Sequence, residues 1–449
     1  MKKFLAIILV AAMATVSLCA CSEPDEFSGK EDLTKDYTRN TDPTYSYNYA
    51  DGADSAPLSY ATYASSISNF ELRYFRNYYS QNHSDGKSFV FAPSSAVLQL
   101  SLLSNGAGGD TQNEISVALG KDLTLDDLNE CSSYFKSRLE EVGKTEKSEK
   151  DSLSGKEIEN TNSEFVRFEN SFFFNDKADT RSSFLQTNAN FYGSGIYRFM
   201  FDDDNALSKV NKLFSDFTDK NAVSKLNSSD YAISVTASDI ADLWLEAYSQ
   251  SDIEEGKFNA DSGERNVNYL TSNETKLKSE RATGAIKYTK NTPLKLMLVM
   301  PNENISIDEY VSDFDYLEFS TLLESFDITQ KTTVKIPEFS IDGGTTTESV
   351  SSVLQNCGLP TLFTDDADFS NLTRTEDFKL NEMYQITPQI SLTAKGIGGL
   401  TNNDSVTLSE NRVKELEKTD ETIKFDRPFI FLLLDNESDI PVYMGVVNN

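Results

Sequence analysis

From residue 60 onward the apolar positions follow two rhythms. Over 61–80, Tyr63, Phe70, Tyr74 and Tyr78 fall on one face at helical spacing, which predicts an amphipathic helix. Phe89-Val90-Phe91 is a short apolar run stopped by Pro93, read as a strand. A helix then begins over 94–103, with Ser94 or Ser95 as its cap. Further helices are predicted at 114–119, 125–139, 181–187 and 207–217. The Phe-rich stretch 164–175 and the apolar stretch 233–247 read as strands inside a sheet core. Residues 295–300 (KLMLVM) run into Pro301, a strand closed by a breaker. Helices mixed with long strands, without regular alternation, predict an α+β fold with more than one sheet.

Outside that pattern lie three segments. Residues 1–20 start with Lys2 and Lys3, continue through an apolar run and end in Leu18-Cys19-Ala20, the layout of an export signal. The run is too short for a good membrane-spanning helix. Leu18-Cys19-Ala20-Cys21 resembles a bacterial lipobox, which implies that Cys21 becomes the lipidated first residue of an exported, surface-tethered protein. The alternative is an ordinary signal peptide that happens to contain cysteines. Residues 21–56 are polar, carry Pro24 and Pro43 and show no period, so they read as a disordered acidic tether. Residues 144–164 are charge-rich and free of aromatics before Phe165, a surface insertion between a helix and a strand; a domain boundary there is the lesser alternative. With no internal repeat and no other linker, 57–449 is expected to form one domain.

Charge and candidate chemistry narrow the function. Lys plus Arg number 41 against 71 Asp plus Glu, a net charge of −30. That field repels nucleic acid and draws in basic partners. With Cys19 and Cys21 accounted for, only Cys131 and Cys357 remain. They are expected as two half-buried free thiols, although sequence alone leaves their pairing open. The single histidine, His83, sits in a turn-like QNHSDGKS segment, so a Ser-His-Asp arrangement would have to use it or none. No HExxH, P-loop or GxGxxG pattern is present, and Gly106–Gly109 is not preceded by the strand that a phosphate loop needs. The acidic run 202–204 lacks the spacing of a calcium loop. A non-enzyme without metal or cofactor is expected.

The order of the pieces resembles the serpins, proteins that trap proteases with an exposed loop. FVFAPSSAVLQLSLLSNGAGGDT matches their strand, turn, helix and Gly-Ala-x-Gly-x-Thr signature through Pro93, Ser95, Gly106, Ala107, Gly109 and Thr111, while Ala92 replaces a serine. Asn211, Phe214 and Thr218 fit a second motif. Trp244, Tyr248 and Phe258 keep the family's spacing near the top of its central sheet. Pro428, Phe429, Phe431, Met444 and Gly445 fit its terminal hairpin. The resemblance implies a single domain of three β-sheets with about eight or nine helices and a reactive-centre loop over 396–424. Aligned on Trp244 and Gly396, Thr236 and Ile386 stand where the family keeps a polar Asn and His. That predicts a drier seam where the central strands part.

What the resemblance implies for function is a monomeric inhibitor of serine or cysteine proteases, acting by cleavage of its loop and insertion of the cut strand. The hinge is Lys395, Gly396, Ile397, Gly398 and Gly399. No charge and no proline falls between Gly396 and Asn403, which permits burial in a sheet, although Ile397 and three glycines depart from the family's Thr and Ala. Spacing puts the scissile bond near Glu410-Asn411, with Leu408, Arg412 and Lys414 also open as targets. The alternative is a serpin-like fold that is only a protease substrate or a surface binding module.

Overall fold

The aromatic face over 61–80 folds as α1 (Tyr60–Asn82), with Tyr63, Ile67, Phe70, Tyr74 and Tyr78 buried. After β1 (Phe89–Phe91), Pro93 opens α2 (Pro93–Gly106), where its missing N–H costs nothing. The computed structural model describes residues 30–40, 56–82, 86–140, 164–342, 347–398, 408–411, 416, 419 and 421–448. His83, Cys21 and most of the 144–164 insertion lie outside them. The cap expected from Ser94 or Ser95 is not made. Ala92 holds the cap position, and Ser94 Oγ turns inward, 2.9 Å from both Glu71 Oε1 and the Pro441 carbonyl.

The chain continues through α3 (Gly109–Gly120), α4 (Leu125–Glu140), β2 (Phe165–Asn175), α5 (Ser182–Phe191), β3 (Gly195–Phe199), α6 (Ala206–Leu213) and β4 (Ala232–Leu243). Next come β5 (Ile253–Ala260), β6 (Gly263–Lys278), β7 (Ala282–Tyr288), β8 (Leu294–Pro301), α7 (Ile307–Asp313) and α8 (Tyr316–Glu324). Then follow β9 (Lys331–Pro337), β10 (Phe339–Ile341), β11 (Glu348–Ser349), α9 (Ser351–Asn356), β12 (Leu380–Gln385), β13 (Ile390–Leu392) and β14 (Gly396–Gly398). The last strands are β15 (Thr422–Lys424), β16 (Phe429–Asp435) and β17 (Pro441–Val447).

These strands pair into two large sheets. One runs β10-β13-β14-β4-β12-β11, with β2 against β4 and β3 against β2. The other runs β1-β17-β16-β8-β7-β6-β9-β15, with β5 against β6. The third set of strands expected from the resemblance, β5, β9 and β15, is continuous with this second sheet. The reason is the length of β6, whose 16 residues pair with β7 at one end and with β5 and β9 at the other.

Every residue of β4 from Ala232 to Asp242 is buried, because the strand is covered on both faces. Ile233, Val235 and Ala237 pack with Val210 of α6 and with Phe214, which caps its C-terminus, in a separate apolar cluster. The alternate residues face α2 and the main core, where Gln99 Nε2 donates to Ser234 Oγ at 2.7 Å. Part of the stretch read as a tether is not free. Asp32 bridges Tyr197 of edge strand β3, with Leu33 N donating to Ile196 O and Arg198 N to Glu31 O. An edge strand offers unpaired N–H and C=O groups, and this segment satisfies them despite its polar composition.

Glu71 is fully buried on α1, and burial holds its carboxyl well above the usual range, with the Ser94 hydrogen bond opposing. A neutral acid fits the geometry, since it can donate to Ser94 Oγ while Ser94 donates to Pro441 O. A folded pKa above the unfolded value gives stability that is complete below about pH 4.3 and lost as pH rises through the folded value. Glu71→Gln removes that loss. Its melting temperature should exceed the parent's by more at pH 8 than at pH 5, as differential scanning calorimetry would show.

Candidate functional site

The eight-stranded sheet forks. Along its lower part β12 pairs directly and in parallel with β4, up to Gln385 opposite Thr236. Above that point the two separate, and β14 lies between β4 and β13, antiparallel to both. The strand in the fork is the expected hinge, Gly396-Ile397-Gly398. In register, Gly396 faces Leu243, Ile397 faces Asp242 and Gly398 faces Ala241. The resemblance implies an exposed loop that inserts after cleavage. Instead these three residues are already seated as a strand.

Their side chains explain the seating. A Cβ on Gly396 would stand 2.0 Å from the carbonyl oxygen of Asp242, so only glycine fits there. Ile397 is 1% exposed and joins the main core. Burying an Ile side chain is worth about 1.5–3 kcal/mol, which offsets much of the cost of ordering three residues. Gly399 lies outside the described residues. The turn before the hinge is clamped from two sides. Trp244 Nε1 donates to Thr393 O at 2.8 Å, and Ala394 N donates to Glu338 Oε1 at 3.0 Å. Lys395 and Gly396 are drawn into the same turn through Thr393, whose N–H donates to Gly396 O at 3.0 Å.

Three charged residues that sequence reasoning passed over fix this corner. Asp242 is fully buried and accepts from Leu243 N, Thr292 N and Thr292 Oγ1, each at 2.7 Å, and from Asn291 N. It pins the top of β4 to the β7–β8 turn. Lys287 and Glu274 form a buried pair at 2.7 Å, with the ammonium 4.4 Å from the Tyr248 ring centre and 5.3 Å from that of Trp244. Burial by itself would lower the Lys287 pKa, but the Glu274 charge and Tyr248 more than offset it, and the net direction is upward. The signal was present in the sequence as single charges inside apolar strand runs, Asp242 in IADLW and Lys287 in AIKY. Such charges need buried partners.

The seam below the fork is not dry. Ile386 points to the α6 side and packs with Ile233 and Val235. Its neighbour Gln385 holds the core side, accepting from Tyr74 OH at 3.0 Å and donating to the Ala92 carbonyl. Ser95 Oγ donates to the same carbonyl at 3.1 Å, and Asn170 Nδ2 donates to Ser95 O at 3.0 Å. Thr236 stays buried, with its hydroxyl 3.4 Å from Tyr384 O. The polar network therefore persists with Gln385, Tyr74 and Asn170 as members. The expectation of a dry seam fails because Gln385, next to Ile386, faces the core side and carries the hydrogen bonds there.

Of the cleavage candidates, Leu408 packs against the main core, and Ser409 O and Glu410 O accept from Gln250 N and Ser251 N at 2.9 and 3.2 Å. Asn411 is exposed, and Arg412 and Lys414 lie outside the described residues. Both Cys131 and Cys357 are free thiols, fully rather than half buried, and burial pushes each up to about 12.

The site is thus a slot in the sheet filled by Gly396-Ile397-Gly398, next to the turn that Trp244 clamps. The family model of serpins, serine protease inhibitors, matches residues 65–449. This chain belongs to the serpin family. Serpins act on proteases as inhibitors and are not enzymes. The chain is 21% identical over 410 residues to the rat protein alpha-1-antiproteinase, covering 88% of this chain and 90% of that one. Among solved structures it is similar to the native state of the thermophilic serpin tengpin. The TM-score is 0.74 at 23% identity, over 93% of this chain and 99% of tengpin. Human thyroxine-binding globulin in complex with its hormone gives a TM-score of 0.68 at 19% identity, over 87% of this chain and 99% of that one. These structural likenesses are of fold.

Proposed function

We propose that this serpin inhibits serine-type endopeptidases by offering its 396–424 loop as bait and inserting the cut strand into the fork between β4 and β13. The observation that carries this reading is β14 itself: the slot exists, and its first three positions are filled in the antiparallel register that an inserted strand needs. Continuing that strand, Gly399, Thr401 and Asn403 follow Ile397 onto the core side, and none is charged or bulky. Insertion of this kind is strand addition that releases stored strain. A second reading, a serpin fold that is cleaved without trapping, is favoured by Gly396, Gly398 and Gly399 with Asn402 and Asn403, which are poor strand formers.

The deciding experiment incubates the protein with trypsin-, chymotrypsin-, elastase-like and glutamate-specific proteases. The expected products are a covalent complex stable in hot detergent with at least one of them, and a cleaved form that melts about 10 °C or more above the parent. That rise follows from several new ladder hydrogen bonds at ~1 kcal/mol each. Cleavage that gives neither complex nor a higher melting temperature supports the second reading.

The protein acts outside the cell in this proposal, held to a bacterial membrane through a lipid on Cys21, and otherwise as a monomer. Cys21→Ser should release it from the membrane fraction. Retention of the variant would overturn the anchor.

A further inference from the structure

Within that reading of the loop as bait, the structure points to a residue-level device that decides which bond is offered. We infer that the turn Ser249–Asp252 is a shelf that withholds the Glu410-Asn411 bond from proteases. The turn is built to present two N–H groups. Ser249 and Asp252 close it reciprocally, Ser249 N and Oγ donating to Asp252 Oδ2 at 2.8 and 2.7 Å. Gln250 and Ser251 open a 3-10 turn, so their own N–H groups have no partner within it. The loop supplies the partners, through the carbonyls of Ser409 and Glu410. The shelf is fixed at the hinge corner, one residue after Tyr248, which is buried over Lys287 and hydrogen-bonded with Ser272. Leu408 adds an apolar anchor on the core.

A serine protease needs the carbonyl of the residue before the cut in its oxyanion hole, in line with the attacking hydroxyl. Here the Glu410 carbonyl is turned to Ser251 N, and its neighbour's to Gln250 N. The bond that spacing nominated is thus held against the body, and a protease must peel the segment before cutting there. Gln250, Ser251 and Leu408 are specificity-determining residues acting through the loop's backbone.

Gln250→Pro tests this. Ser249 has φ −117° and ψ 170°, a conformation compatible with a following proline, and Gln250 starts the turn, so no internal hydrogen bond is lost. The readout is limited digestion with a glutamate-specific endoprotease, with the fragments quantified by mass spectrometry. Cutting after Glu410 should quicken about fivefold, the effect of one hydrogen bond, while cutting after Glu415 and Glu417 stays the same. Leu408→Asn, which leaves the body unaltered, should give the same selective increase. An unchanged Glu410 rate in both variants, or an equal rise at all three sites, would overturn the shelf. Covalent complex formation is measured in parallel. Selective unmasking without any complex leaves the shelf standing and removes the inhibitor reading, and a complex without unmasking does the reverse.

Discussion

Ile397→Arg should abolish protease trapping while leaving the loop cleavable. Ile397 is 1% exposed between β4 and β13, opposite the buried Asp242. The Asp242 carboxylate is already engaged by backbone and side-chain donors from residues 243, 291 and 292, so it is poorly placed to receive a new cation. A buried, uncompensated charge costs several kcal/mol, and ~4 kcal/mol corresponds to roughly a thousandfold change in an equilibrium. The hinge would leave the slot, and a cut loop could not re-enter it before the protease completes hydrolysis. Stoichiometry of inhibition with whichever protease the parent traps is the measurement. The parent is expected to form complex, and the variant should yield only cleaved protein. If the variant traps protease as well as the parent does, insertion through this slot is not the mechanism. Ile397→Thr keeps a β-branched side chain and should trap at least as efficiently.

The second large effect is expected at the other side of the same corner. Glu274→Ala leaves the Lys287 ammonium buried without its carboxylate partner, beside the Glu246 carbonyl at 3.4 Å and the Tyr248 and Trp244 rings. Removing one partner of a buried pair costs about 3–5 kcal/mol, because the remaining charge has lost its compensation. The pKa of Lys287 is raised in the fold, so its stabilising contribution is fully present below about pH 10.4 and is lost only as pH rises through the folded value. The penalty is therefore complete at neutral pH, and thermal melts at pH 7 should show a fall of several degrees. The double variant Glu274→Leu with Lys287→Met should recover most of the loss, since well-packed apolar replacements of a buried pair are often neutral. A fall of less than about 1 kcal/mol for Glu274→Ala would mean that the pair does not hold this corner.

Several parts of this protein were legible in its residues. The aromatic spacing of α1, the strand stopped at Pro93, the Phe-rich β2 and the largely apolar β4 follow from local sequence pattern, which a linear chain displays directly. The charge-free stretch after Gly396 was legible too, because residue type is read one position at a time. The seam was not. Gln385 and Ile386 are adjacent and point to opposite faces, so a shift of one residue exchanges a hydrogen-bonding side chain for an apolar one. Nor could spacing reveal that the 30–40 segment satisfies the edge of β3, or that Ser409 and Glu410 lie on the Ser249–Asp252 turn. Both are backbone contacts between distant segments, and backbone N–H and C=O groups are the same at every residue.

By itself, then, the sequence determined the elements, the family's order of motifs, the length and polarity of the loop and the absence of charge behind its hinge. Each of these is a property of neighbours along the chain. The tertiary structure decided how far the hinge already sits in the sheet, which face of the seam is polar, which charges are buried in pairs and which loop bond is held against the body. Those depend on register and on which backbone groups find partners, quantities fixed only when segments far apart in sequence compete for the same donors, acceptors and space.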